Sequence, residues 1–200
     1  MGQEQKPVGL RARRRALTER EIEDAAIDAF ESHGFAGTTM EHIAASAGVS
    51  VRTAFRYFPA KVDTVLYSAR QVTQVLSAGL RADLVAGASL LEIEESITAS
   101  LAAFTTSSLD VVSRVKRVHA LVLNDDQLRA QVKGSDDYLA GLDDHDADAV
   151  PRTLETRLLV EIVAATLRTA FDDWAGSAGE DTSLVSHYRR ARTARDALAS

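Results

Sequence analysis

The sequence contains no cysteine among its 200 residues. Disulfide bonds, thiolate metal sites and cysteine nucleophiles are therefore excluded, and a reducing cytoplasm is the expected compartment. Proline occurs only 3 times and glycine 11 times, and aromatic residues make up 6% of the chain. Because 46% of the residues are hydrophobic and few residues break helices, we expect a buried core built almost wholly from α-helices.

Long apolar runs and catalytic signatures are also absent. No window approaches the roughly 18 uninterrupted apolar residues of a membrane span, and the first residues, MGQEQKPVGLRARRR, lack the apolar segment of a signal peptide. The motifs G-x-S-x-G, H-E-x-x-H, G-x-G-x-x-G and the P-loop do not occur, and the five histidines are scattered along the chain. We therefore expect a cytoplasmic protein that is not an enzyme, needs no cofactor and has no membrane partner.

Charge of either sign is confined to particular parts of the chain. The net charge is −6, but residues 1–61 carry 9 basic and 8 acidic side chains, so the excess acid lies in the remainder. Arginines cluster at residues 11–15, acids follow at residues 19–41, and no acid lies between Glu41 and Asp63. Because local rather than net charge decides which surface can approach phosphate, this acid-free window is a candidate nucleic-acid surface.

Capping patterns predict the first helix. Thr18 is followed three residues later by Glu21, which is the spacing of a capping box at a helix start. Apolar residues then recur at helical spacing up to His33, and Gly34 supplies a stop. The pattern predicts a helix from Thr18 to His33.

Two short helices are predicted to follow. Thr38 or Thr39 is placed to cap the second helix, which Gly48 ends. Ser50 is placed to cap the third, which runs over residues 51–58 until the next proline. Two helices joined at a glycine turn have the spacing of a helix-turn-helix, whose second helix enters the major groove of DNA.

The rest of the chain is predicted to continue as helices. A fourth, long helix is expected to begin near Ala60 or Lys61 on an apolar stripe that includes Val75. The apolar residues of the segment 152–175 occupy more than one face, so that helix needs neighbours on both sides, either its own core or a second subunit. The other predicted helices span residues 89–106, 109–123, 125–132, 136–144 and 181–199.

The third helix is predicted to have an inner and an outer face. Val51, Ala54 and Phe58 recur at helical spacing and form the inner face. The outer face is left with four side chains, Arg52, Thr53, Arg56 and Tyr57. Arg52 and Thr53 are suited to contact base edges. Tyr57 is suited to contact phosphate, as are Thr39 and Lys61. The alternative is a basic face that is merely solvated.

The motifs GFAGTT, IAASAGVS and TAFRYFPAK, in this order between Leu17 and Leu66, resemble the N-terminal domain of TetR-type transcriptional regulators. The resemblance covers about a quarter of the chain. It implies an all-α protein that is a ligand-responsive, homodimeric repressor and binds a palindromic operator in double-stranded DNA. The R-T-x-F-R-Y-F wording also looks like a subgroup whose C-terminal domain binds an acyl-CoA-like ligand.

The resemblance assigns residues as well as an architecture. The arginine run predicts a basic flexible arm at residues 1–16, and the resemblance implies a three-helix helix-turn-helix domain at 17–62 and a larger helical domain for ligand binding and dimerisation at 63–200. Large apolar residues are usual in this family at position 54, which is Ala54 here, and glycine is frequent at position 52, which is Arg52. The predicted DNA contacts are Thr39, Val51, Arg52, Thr53, Phe55, Arg56, Tyr57 and Lys61, with Arg13, Arg14 and Arg15 of the arm.

The arm itself has two interpretations, a disordered tail with incidental charge or a segment that becomes ordered along phosphates or in the minor groove. The large domain offers aromatic or polar candidates for an acyl-CoA-like or other hydrophobic effector, although each of them also fits a core or surface position. An acidic run before Pro151 fits a solvated connection better than a metal site. A helical adaptor without DNA binding is the alternative function. The effector candidates are Phe104, Arg114, Arg117, His119, Tyr138, Phe171 and Trp174.

Overall fold

The computed structural model describes residues 9–107, 109–134, 153–177 and 183–198. Every regular element within these residues is helical, which confirms the predicted all-α class. The chain divides into two compact units, residues 1–67 and 68–200, referred to below as unit 1 and unit 2. The predicted helix at 136–144, the effector candidate Tyr138 and the acidic run before Pro151 lie outside the described residues.

Unit 1 contains helix α1 (Leu10–Gly37), helix α2 (Met40–Ser46), helix α3 (Val51–Tyr57) and a 3₁₀ turn (Lys61–Thr64). The prediction that the first helix begins at Thr18 is wrong, because α1 begins at Leu10 and its N-cap, Gly9, makes no side-chain capping bond. The segment from Leu10 to Leu17 contains only leucine, alanine and arginine, which favour helix, so no local signal ends the helix before Thr18.

Gly34 breaks α1 near its end, as predicted. Its φ of 71° and ψ of 167° lie in a region that is essentially restricted to glycine. A final turn through Gly37 follows, and the chain then reverses into α2. Gly48, with φ 67°, makes the turn between α2 and α3. Both glycines therefore occupy backbone conformations that an L side chain rarely adopts.

The prediction of one long helix from Lys61 is wrong. Helix α4 (Tyr67–Val85) begins only after the 3₁₀ turn, because local side chains bond the backbone groups of this turn. The Asp63 carboxylate accepts from the Ala60 N–H at 3.0 Å, and the Thr64 hydroxyl donates to the Lys61 carbonyl at 2.6 Å.

Unit 2 comprises α4 from Ser68 onward and five further described helices. Its core joins α4, α5, α6, α8 and α9 through aliphatic side chains and the fully buried Trp174 and Tyr188. Val75, which the predicted apolar stripe placed inside, is 65% exposed. None of the described helices is both long enough and apolar enough to cross a membrane. The further helices are α5 (Leu90–Ser107), α6 (Leu109–Asn124), α7 (Asp126–Gly134), α8 (Leu154–Gly176) and α9 (Leu184–Leu198).

Candidate nucleic-acid interface

Helices α2 and α3 form the predicted helix-turn-helix. The Thr39 side chain caps α2 by accepting from the His42 N–H at 3.2 Å, and the Ser50 side chain caps α3 by accepting from the Thr53 N–H at 3.1 Å. Between them the Val49 N–H donates to the Ala44 carbonyl at 2.9 Å. One backbone N–H at each helix start and one in the turn are thus bonded within this motif.

The two faces of α3 agree with the sequence prediction. On the inner side Ala54 is 0% exposed and Phe58 is 5% exposed, and the Phe58 ring meets the Tyr67 ring edge-on at 6.1 Å. Val51 is only half-buried. On the outer side Arg52 and Arg56 are exposed, Thr53 and Tyr57 are half-buried, and Phe55 is 45% exposed.

The Thr53 hydroxyl has a local partner. Its oxygen lies 2.8 Å from the Ser50 hydroxyl oxygen, in the same cap that receives the Thr53 N–H. This bond holds the side chain in one rotamer, so the position of the Thr53 methyl group is fixed. A fixed methyl group beside the exposed Arg52 suits apolar contact with a thymine, next to a donor for guanine.

Two arginines from different helices lie close to the Tyr57 ring. The Arg56 guanidinium carbon is 5.0 Å from the Tyr57 ring centroid, and that of Arg15, from α1, is 5.7 Å away. Arg15 Nε also donates to Glu19 Oε1 at 2.9 Å, and this hydrogen bond raises the Arg15 pKa. Sequence reasoning placed Arg15 in an arm and gave no signal for this contact, which depends on the continuation of α1 as a helix.

Lys61 makes hydrogen bonds within unit 1 that the sequence did not predict. Its ammonium group donates to the carbonyls of Phe35, at 2.5 Å, and Thr38, at 2.7 Å, and lies 4.0 Å from the centroid of the Phe35 ring. The Thr38 hydroxyl donates to the Ala29 and Gly34 carbonyls at 3.1 and 2.9 Å. These bonds join the 3₁₀ turn to the end of α1, so the phosphate contact predicted for Lys61 competes with an internal role.

The predicted effector residues of unit 2 mostly belong to its core. The His119 and Phe171 rings are stacked at 4.8 Å, and Phe171 meets Trp174 edge-on at 6.0 Å. All three side chains are at most 5% exposed. The other described candidates, Phe104, Arg114 and Arg117, are half-buried.

A small cavity lies elsewhere in unit 2. Its volume is about 10 Å³, roughly the room for one water molecule, and no predicted effector residue lines it. The hydroxyls of its two polar residues donate to backbone carbonyls of α4, at 3.0 Å from Thr73 and 3.2 Å from Ser77. Sequence reasoning selected aromatic and charged residues and so missed this aliphatic wall. The lining residues are Thr73, Leu76, Ser77, Leu80, Ile97, Val163 and Leu167.

Comparison with known proteins finds a family that the helix-turn-helix region resembles. Residues 22–66 match the family described as bacterial regulatory proteins, tetR family. The chain is 36% identical over 96 residues to the HTH-type transcriptional regulator RutR of Escherichia coli strain K12, covering 48% of this chain and 45% of RutR. It is 29% identical over 118 residues to MftR of Mycobacterium tuberculosis, a proposed transcriptional regulator of mycofactocin biosynthesis, covering 59% and 58%.

The matched stretches thus span about half the length of these curated relatives. A solved structure extends the comparison of fold to the larger unit. A proposed TetR-family transcriptional regulator from Mesorhizobium loti is 20% identical, and the match covers 92% of this chain and 98% of that one with a TM-score of 0.50. At this identity the likeness concerns the fold.

The Lys61 hydrogen bonds predict that removing the ammonium group lowers the stability of unit 1. Lys61→Met leaves the Phe35 and Thr38 carbonyls without their ammonium donor, which should cost about 1–3 kcal/mol of unfolding free energy. Arg52→Met removes the same charge from an exposed side chain and is the matched control. Thermal unfolding followed by circular dichroism should show a lower midpoint for the first variant only. Equal midpoints for both variants would show that the Lys61 bonds contribute nothing.

Burial of His119 predicts a pH dependence in unit 2. Desolvation lowers the His119 pKa, and Asp172, whose Oδ1 is 3.9 Å from His119 Nδ1, opposes this only in part. The unfolded chain therefore binds a proton that the folded chain rejects, so the free energy of unfolding should fall as pH drops below about 6.5.

Trp174, the only tryptophan of the chain, reports on this unit by its fluorescence. His119→Phe keeps an aromatic ring against Phe171 but cannot titrate, so its urea midpoint should fall less than that of the wild type over the same pH interval. If the urea midpoint of the variant falls with pH as steeply as that of the wild type, the pH dependence does not come from His119. The Asp173 carboxylate does not interfere, because the hydrogen bond with His187 lowers the Asp173 pKa and its effect appears only in more acidic solution.

Proposed function

We propose that the chain, whose residues 22–66 match the tetR family of bacterial regulatory proteins, is a cytoplasmic, ligand-responsive, homodimeric repressor that binds a palindromic operator. The observation that carries the proposal is the two-faced α3. Ala54 and Phe58 are buried, while Arg52, Phe55 and Arg56 project outward. A capped helix with a basic, partly apolar outer face has the shape and charge to enter a major groove.

The residues of the outer face divide by chemistry. Arg52 and Thr53 occupy the first turn of α3, the part of a recognition helix that usually reaches base edges. Val51 and Phe55 add apolar surface for thymine methyl groups. Arg56 and Tyr57, near the end of α3, and Thr39, at the start of α2, are placed to contact phosphates.

Dimerisation is proposed through α8 and α9. One face of α8 is buried in unit 2, while Leu154 and Leu158 on another face are 73% and 54% exposed. Ala165, further along α8, and Leu198, near the end of α9, are exposed as well. Two exposed leucines one turn apart on this face of α8 suit a two-fold contact with the same face of a second copy.

The effector site is proposed at the small cavity beside α4. Four of its lining residues belong to α4, the helix that follows the 3₁₀ turn of unit 1 in the chain. An acyl-CoA-like or other hydrophobic effector would need to widen the cavity by moving its aliphatic lining residues apart. This widening would displace α4. A displacement of α4 that the ligand favours is the kind of coupling that allosteric release of DNA requires.

The experiment that tests DNA binding is selection of duplexes from a random library by the full chain. The proposal expects a palindromic consensus whose affinity falls steeply with salt. Exposed Leu154 and Leu158 also fit a second candidate, a helical adaptor that binds another protein through α8. The adaptor predicts no enriched sequence, so an unenriched library would overturn the repressor.

Substitutions on the selected duplex test the division between base and phosphate contacts. Arg52→Ala and Thr53→Ala should each relax the preference at one or two operator positions. The difference in binding free energy between the best base and the other bases at those positions should shrink by about 1–3 kcal/mol. Arg56→Ala should weaken all sequences about equally. The comparison requires affinities for the consensus and for single-base variants, and the reverse pattern would refute the assignment.

The proposed dimer contact is tested by placing a charge on it. Leu158→Glu should convert the dimer to a monomer in light scattering, because two carboxylates would meet across the two-fold axis. Leu109→Glu is the matched control, because Leu109 at the start of α6 is 80% exposed and lies outside the proposed contact. A monomeric wild type, or a dimer that survives Leu158→Glu, would contradict dimerisation through α8.

A further inference from the structure

The first two turns of α1 are helical although local electrostatics oppose a helix there. Residues 10–17 contain four arginines and no acid, and the first acid is Glu19. Cations near a helix N-terminus interact unfavourably with the helix dipole, and Arg11 and Arg15 repel each other at the i, i+4 spacing. Gly9 provides no side-chain cap. A counter-charge from outside the chain would stabilise these turns.

Helical geometry sorts the four arginines by direction. At 100° per residue Arg11 lies about 40° from Arg15 around the axis, whereas Arg13 lies about 160° from both. Arg14 lies about 100° from Arg15, at the edge of that side. All four side chains are exposed. The basic segment therefore has one side that carries Arg11 and Arg15 and an opposite side that carries Arg13.

Arg15 fixes the direction of the first of these sides. Its guanidinium is 5.7 Å from the Tyr57 ring centroid and is held by the 2.9 Å bond to Glu19, a residue only 8% exposed. The same ring has the Arg56 guanidinium 5.0 Å from its centroid. The side of α1 that carries Arg11 and Arg15 is thereby aligned with the end of α3, and Arg11 lies about one helical turn beyond Arg15.

We propose that Arg11 and Arg15 of α1, together with Arg56 and Tyr57 of α3, form one continuous strip that binds the sugar-phosphate backbone of DNA. In this arrangement Arg13 takes no part, although the sequence placed it among the DNA contacts. Bound phosphates supply the counter-charge, so DNA stabilises the first two turns of α1. The inference rests on the proposed function, since it requires a DNA complex.

The salt dependence of binding distinguishes the two sides of the helix. Removing one phosphate contact reduces the slope of log K against log salt by about one. Arg11→Ala should therefore reduce the slope by about one and lower affinity for the selected duplex at moderate salt. Arg13→Ala removes the same charge from the same turns and should leave the slope within error of the wild type. Equal reductions from both substitutions would replace the strip with a diffuse charge effect and overturn the proposal.

Hydrogen exchange provides an independent measurement on the wild-type chain. Amides of residues 12–17 should exchange more slowly when the selected duplex is added, and amides of α8 serve as an internal reference. Arg11→Ala should lose part of this protection, while Arg13→Ala should keep it. Unchanged exchange at residues 12–17 in a saturated complex would contradict the proposal, because the phosphates would then not stabilise these turns.

The two proposals fail in different ways. If no duplex is enriched and binding shows no salt dependence, the repressor assignment fails and the strip fails with it. If the wild type binds its duplex with a steep salt dependence but Arg11→Ala and Arg13→Ala have the same slope, only the strip fails. Circular dichroism of both variants shows whether either substitution unfolds the start of α1 before DNA is added.

Discussion

The arrangement of unit 1 depends on the bonds between the Lys61 ammonium group and the Phe35 and Thr38 carbonyls. The chain breaks its helix at Gly34 and reverses within a few residues, which removes the usual helical partners from carbonyls at this corner. The helix dipole favours a cation beside the carbonyl groups at the C-terminal end of a helix. Since Thr39, the cap of α2, is the next residue after Thr38, the same bonds fix where the helix-turn-helix begins.

Positive side chains in unit 1 differ in whether the protein itself supplies an acceptor for them. Lys61 and Arg15 both have internal acceptors, the first on backbone carbonyls and the second on Glu19. Arg52 and Arg56 remain exposed on α3. In the sequence Lys61, Arg52 and Arg56 all stand in acid-poor surroundings, and only the three-dimensional positions of the backbone acceptors separate Lys61 from the other two. A charge count therefore locates a surface but does not assign the contacts on it.

Local signals predicted the helix-turn-helix well. Thr39, Ser50, Gly34 and Gly48 act through backbone bonds or dihedral angles within a few residues, so the sequence contains the whole cause. The errors had local causes at the start of α1 and at the 3₁₀ turn, and non-local causes elsewhere. The start of α1 had no stop signal to place it, and the cavity wall consists of aliphatic residues that resemble any other core. The bonds of Lys61 span 26 and 23 positions and leave no periodic pattern.

Ala54 shows how these contributions combine at α3. The helix has 7 residues, fewer than the roughly 12–15 that an isolated helix needs, so it must be held by its surroundings. Ala54 is 0% exposed, but its single methyl group buries far less area than a large apolar side chain would. The remaining restraints are the Ser50 cap, the buried Phe58 ring and the arginines around Tyr57. The position of α3 therefore depends more on bonds at its two ends than on its central contact.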